Sequence, residues 1–496
     1  MKATILCSQN LALESAPKSN MTPYPPKGEL PNLMIFRCSP PIGGLGVKTL
    51  KIIEFFTFRC RLILMLLSII FTSSCTRNTI TINDENGVLG KTNAPVKVEI
   101  KLDKNQKLAA EEGRLELTDP LSGKSFPVQL ENTENKDYST LVFKIPDERS
   151  DLRKFKIKVN SSPVTGGLKT FTDSKSGQVI IQESGKNVLQ YNYQTVYEKD
   201  VIRPESKKDN ELSFSPVNGI YYDEYLKAHP ELEKNNTTSS SIYSVPRSDY
   251  IHPLYGLEGE MLTSDWPDGG HPHHRGIFWA WPEVEWGTKR ADIYALQRVF
   301  ARPTGNIKLI SGPVFAEIDA ENLWMWEDKE PIVRENAVIR VYNSTSETRT
   351  IDLTIKLLAL KDSVTIATRF TNSYGGLNIR MQTPEKQDIS FFTDVPGSKP
   401  LQAWSDFNGI FEGNKATSGL MVLQHSSNPE YPGVWKDYPD LAWVQPTFPT
   451  PDTRYPLSTD KELVLRFRLI IHAGGKPGEE ISKLMWDAYN KPVTPL

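Results

Sequence analysis

Beyond residue 75 the sequence contains no cysteine: Cys7, Cys38, Cys60 and Cys75 are the whole complement. A chain that starts at Cys75 makes no internal disulfide, so burial and sheet hydrogen bonding must hold it together. Net charge is nearly absent as well. Lys+Arg 58 against Asp+Glu 60 leaves -2, which offers no global attraction for nucleic acid or an anionic membrane. No P-loop, dinucleotide fingerprint, Gly-x-Ser-x-Gly elbow or cysteine metal motif occurs, and nucleotide chemistry and thiol catalysis are disfavoured accordingly. Histidine is scarce, seven in 496 residues, so its placement carries information.

The one long apolar run, Leu62 to Phe71, is short for a membrane span. Lys48, Lys51, Arg59 and Arg61 precede it and Thr72-Ser73-Ser74-Cys75 follows. This order predicts a secretory signal over 50–75, with 1–49 a non-mature leader. Small residues before cysteine resemble the lipobox of bacterial lipoproteins, although Thr72 stands where Leu is usual. Cys75 would then be lipidated and would anchor the chain to the outer membrane, in the periplasm or at the cell surface. Ordinary cleaved secretion and an uncleaved anchor are the other readings.

What the sequence has in plenty is alternation. After a tether over 76–92, period-two runs such as Val96 to Leu102, Ser139 to Ile145 and Phe155 to Val159 predict a small β-sandwich, immunoglobulin-like, over 93–160. Gly, Ser, Thr and Lys mark a linker over 161–178. A charged segment from Lys199 to Ser240 reads as a surface insertion, with Tyr221 to Leu232 a possible short helix. Long alternating runs (Val333 to Tyr342, Arg349 to Leu360, Leu463 to Ile471) predict a large antiparallel β-sandwich over 179–496, closed by a helix on Ile481, Leu484, Met485 and Ala488. The fold class is all-β.

Four of the seven histidines fall between Tyr250 and Gly287: His252, His271, His273 and His274, among Asp265, Asp268 and Arg275. In an extended chain His271 and His273 share a face and His274 takes the other. The pair suits two uses: a shared divalent metal, with Asp265, Asp268 or His252 as a further ligand, or proton transfer beside a substrate. Arg275 suits bidentate binding of an anionic sugar, or a salt bridge to Glu283 or Glu285. Arg380, after Gly375-Gly376, is a second candidate, since glycine lets backbone approach a ligand. Trp279 and Trp281 suit a sugar-stacking wall, or the core. His425 reads as a strand-end residue pointing into a cleft, and His472 as structural.

Tyr250-Ile251-His252-Pro253-Leu254-Tyr255-Gly256 followed by Gly270-His271-Pro272-His273-His274-Arg275-Gly276-Ile277-Phe278 resembles the core motif of bacterial proteins labelled PmoA-like, and the similarity spans Val179 to Asn490. That label comes from a copper methane oxygenase subunit embedded in membranes, and no set of membrane spans follows Cys75, so that activity is rejected. The resemblance implies a secreted or lipid-anchored β-sandwich protein of polysaccharide-digesting bacteria, with no catalytic assignment. The expectation is therefore a carbohydrate-active lyase or dehydratase acting on uronic-acid oligosaccharides. His252, His271, His273 or Tyr255 would move the protons, and His274, Arg275, Arg380, Trp279 and Trp281 would hold substrate. A divalent metal on His271, His273 and Asp265 is the possible cofactor. A glycoside hydrolase, an epimerase and a non-catalytic oligosaccharide-binding lipoprotein are the alternatives.

Overall fold

The computed structural model of the chain describes residues 78–84, 87–131, 137–146, 151–207, 245–266, 271–394 and 402–491. The expected leader, the signal with Cys75, Asp268 and the Tyr221 to Leu232 helix lie outside them. Among the described residues no helix is long and apolar enough to cross a membrane.

Alternating side chains make the sandwich. Along Thr348–Ala359, Ile351, Leu353, Ile355 and Leu357 are fully buried, while Asp352, Thr354 and Lys356 turn to the other face. Each buried aliphatic contributes ~1.5–3 kcal/mol. This strand lies in an eight-stranded sheet ordered Val299–Ile310, Phe315–Trp326, Glu330–Tyr342, Thr348–Ala359, Leu463–Ala473, Ser418–Gln424, Trp404–Ile410, Glu385–Phe392. We call it the long sheet. A second eight-stranded sheet, the site sheet, runs Trp435–Tyr438, Trp443–Pro446, Gly376–Arg380, Ile277–Ala280, Ile251–Leu254, Lys186–Tyr191, Val179–Glu183, Leu168–Thr172. The inner faces of both feed one apolar core. Neighbouring strands pair antiparallel throughout, as short turns between alternating runs require. The architecture is all-β, as the alternation predicts.

The amino-terminal module is itself two antiparallel sheets, of four and three strands, around its own core. Two boundaries differ from the sequence reading. Within 76–92, Thr79–Asp84 is a strand paired with Asp151–Val159, and Val88–Thr92 is a short helix. Within 161–178, Leu168–Thr172 is the edge strand of the site sheet. Polar composition hid both, because a strand at a sheet edge or on a small module needs only one apolar face. The closing helix, Glu479–Asn490, seats Met485 and Trp486 against Trp404, Met421, Leu423 and Ile470 on the outside of the long sheet. Its Ala488 reaches the module core, so the helix binds module to sandwich.

Candidate functional site

Strand Gly376–Arg380 alternates: Leu377 and Ile379 enter the core, so Arg380 faces outward from the site sheet. Trp443 stands directly opposite it on the neighbouring strand. Over this pair folds the segment that carries the histidines. Asp265 and Arg275 form a bridge across its ends, and Gly276 lets the chain dive back into the sheet. Its φ is +58°, and a Cβ there would sit 2.2 Å from the Ile251 carbonyl oxygen, so no other residue fits.

Three histidines gather as a result. Ring centroids are 4.6 Å apart for His273 and His274, 5.0 Å for His271 and His274, and 5.9 Å for His271 and His273. His274 stacks on Trp443 at 6.2 Å. Tyr294 closes another side, 5.5 Å from His273, and touches Tyr374 at 5.1 Å. Arg247 holds the Tyr294 loop by donating to the carbonyls of Tyr294 and Ile293 at 2.9 and 3.1 Å. His271 stays partly exposed.

The electrostatics of this pocket are one-sided. His273, His274 and Arg380 are 8%, 5% and 6% exposed. Nε and Nη1 of Arg380 and Nδ1 of His274 are buried with no hydrogen-bond partner among the described residues. Burial pulls the Arg380 guanidinium down to about 10. It also pulls both buried imidazoles well below their ordinary value, helped by His271, Arg247 and Arg380 nearby. They are neutral at physiological pH and able to accept a proton. The Tyr294 phenol is pushed well above 10 by burial and by Tyr374, so it keeps its proton. Among the described residues no ion pair answers the Arg380 guanidinium, so positive charge is buried here beside neutral bases.

Several expected site residues lie elsewhere. Arg275 is fully buried, donates to Asp265 and, at 2.7 Å, to the Tyr250 hydroxyl, and lies 4.3 Å over the Trp266 ring. It is a structural ion pair, and its partner is Asp265 rather than Glu283 or Glu285. Asp265 is thereby withdrawn from any metal set with His271 and His273, and among the described residues no three metal-ligating side chains converge on one ion position. His252 has both ring nitrogens engaged, Nδ1 with Thr263 Oγ1 at 3.0 Å and Nε2 with the Ile202 carbonyl at 2.8 Å, which leaves neither for substrate. Tyr255 pairs with Met261 beyond the end of its strand and, among the described residues, joins none of the ring contacts around the histidines.

Trp279 and Trp281 both point inward, not at a ligand. The Trp279 indole donates to Glu335 Oε1, with Trp324 on Oε2, each at 2.7 Å, and the Trp281 indole donates to the Phe448 carbonyl at 2.8 Å. Gly375-Gly376 serves packing: Gly376 has φ +115° and lies against Pro446 and Phe448. His472 is buried and lies 2.7 Å from Asp406.

Asp292, in the loop that presents Tyr294, is pushed up to about 7 by burial, against the opposing pull of Arg369 at 3.4 Å. A carboxyl raised in the folded state stabilises below its unfolded value near 3.8, and that stability is lost as pH rises through about 7. Asn at this position keeps the acceptor for the Ala295 N–H and does not titrate. Urea unfolding at pH 5 and pH 8 is therefore expected to show the wild type losing at most about 3 kcal/mol, the part of the linkage between pH 5 and about 7, with Asp292→Asn losing much less.

Residues 237–486, half the chain and the whole of this pocket, match the profile of a family described as of unknown function. No curated protein matches the chain.

Proposed function

The chain belongs to DUF6807, a family of unknown function, and we propose that its histidine pocket is the active site of a carbon–oxygen lyase acting on uronic-acid sugars. The observation that carries this reading is the buried Arg380 guanidinium, which has no carboxylate partner among the described residues and lies beside neutral imidazoles. A sugar carboxylate would supply the missing charge through a bidentate pair. Pairing also withdraws electron density from the carbon next to the carboxylate, which acidifies its C–H bond.

The chemistry then needs a base and an acid on the same ring. His274 takes the proton from that carbon, and the freed electron pair forms a carbon–carbon double bond as the neighbouring C–O bond breaks. The Tyr294 phenol delivers its proton to the departing oxygen, so protons and electrons balance without an oxidant. His273 packs edge-on against His274 at 4.6 Å and positions it, and His271 meets the substrate at the mouth. Because the imidazoles are held well below their usual range, the base stays unprotonated as pH falls through 6.5. The acid limb of kcat/KM is expected below that pH.

The test is ultraviolet absorbance of the double bond conjugated to the carboxylate, followed while the protein is mixed with uronate-containing oligosaccharides. A rise that drops roughly 10²–10⁴-fold in His274→Ala or Tyr294→Phe is the expected result. Binding without any rise would leave an oligosaccharide-capturing protein in place of a lyase, and a rise undiminished in both variants would remove the pocket from the mechanism.

A further inference from the structure

A second cavity, of ≈ 390 Å³, lies on the outside of the long sheet, where the amino-terminal module and the closing helix meet it. This is the face of the sandwich away from the histidine pocket. Its floor is the outward face of four adjacent strands, whose intervening residues build the core. Most of the charge on this floor is matched. Arg340 is held by Glu131 and Glu317. Arg468 grips Asp352 through two bonds of 2.7 and 2.9 Å, and Lys97 meets Glu131 at 2.9 Å.

Two cations are left over. Lys356 makes no ion pair among the described residues. The Arg466 guanidinium makes, among the described residues, only a 3.4 Å contact to the Ser427 hydroxyl. Arg466 stands directly across from Thr354, which makes Lys356 its diagonal neighbour on the same face, about 7–8 Å away in the usual cross-strand spacing. Like charges so placed repel, and a half-enclosed cavity weakens the solvent screening that would relieve them. One wall is an edge-to-face pair of His425 and Tyr489, with centroids 4.9 Å apart. The Arg468 guanidinium lies 4.4 Å over the tyrosine ring, so these rings border the cavity beside the charge, and the volume is that of a small-molecule site.

We propose that this cavity is a second binding site, taking an oxyanion group (sulfate, phosphate or carboxylate) between Lys356 and Arg466, with the body of a monosaccharide-sized ligand against His425 and Tyr489. The site works independently of the histidine pocket and would hold a negatively charged chain at a point remote from it.

The experiment is calorimetric titration of the purified protein with sodium sulfate, phosphate, glucuronate and a sulfated monosaccharide, against sodium chloride at matched ionic strength. It is run in the Arg380→Gln background, which silences the histidine pocket. Binding of at least one oxyanion, weakened tenfold or more in Lys356→Gln/Arg466→Gln, is the expected result. Tighter binding of the sulfated or carboxylated sugar than of the inorganic ion would identify a saccharide as the carrier. The double variant relieves a repulsion and should unfold at an equal or higher urea concentration, so loss of binding cannot be mistaken for loss of fold. No heat from any oxyanion, an equal response to chloride, or undiminished binding in the double variant would overturn the proposal.

Discussion

Replacing Arg380 with glutamine is expected to make the free protein harder to unfold and at the same time to cut its turnover of acidic sugars by orders of magnitude. The two effects have one cause. A guanidinium that is 6% exposed and has no counter-ion among the described residues is costly to bury, and its downward displacement to about 10 reports that cost. Glutamine removes the charge, and urea unfolding should show a gain of about 1–3 kcal/mol. The ligand's carboxylate, in turn, would lose a charge-assisted bidentate pair. Turnover should fall roughly 10²–10³-fold, the scale seen when a preorganised stabilising donor is removed. A structural arginine behaves in the opposite way, because its loss costs stability. A variant both less stable and still active would place Arg380 with the scaffold. One both more stable and inactive would mark it as a residue kept for a ligand.

Much of the fold was legible because its signal is local and repeated. Ile351, Leu353, Ile355 and Leu357 announce a strand with one apolar face wherever they are read, and Met485 with Ala488 announces a helix. The edges were harder: Leu168–Thr172 has a single fully buried residue, and nothing in its composition separates it from a linker. In the site, scarcity made the histidines visible, and His271, His273 and His274 do assemble. The roles of their neighbours were not visible, because role depends on facing. Trp279 and Trp281 share a face as an i, i+2 pair must, but only the register of Trp279 against Leu377 and the presence of Glu335 across the sandwich make that face the inner one. Tyr294, Tyr374 and Trp443 come from loops and strands far apart in sequence, and no period or motif links them to the histidines. Arg275 looked for its acid downstream, at Glu283 or Glu285. The chain turned back, and Asp265 met it.

That ion pair is expected to be the most costly single feature of the site to break. Burial alone would push the Asp265 carboxyl up, but Arg275, His252 and the Tyr250 hydroxyl outweigh it and hold it below the ordinary value. The pair therefore stabilises the fold at neutral pH. Asp265→Asn leaves a fully buried guanidinium with no charge to answer it, and the loss on urea unfolding should be about 3–5 kcal/mol. Arg275→Met strands the carboxylate instead and should cost a similar amount. Asp265→Leu/Arg275→Met removes both charges and refills the space with apolar groups, so it should recover most of the loss. The cycle then separates stability from function. Asp265 and Arg275 bridge the two ends of the segment that carries the histidines, and their pairing fixes where the imidazoles stand over Arg380. An apolar pair of similar volume restores the burial but not the directional bonds from Nε and Nη2 to the carboxylate and the Tyr250 hydroxyl. The double variant should fold and still be impaired in elimination, with its loss in kcat rather than in KM, because a base displaced by about an ångström costs rate on the order of 10²-fold even when binding is kept. Full recovery of both properties would mean that the bridge holds the segment no better than packing does, and that Gly276 with the Ile251 carbonyl alone sets the position of the histidines.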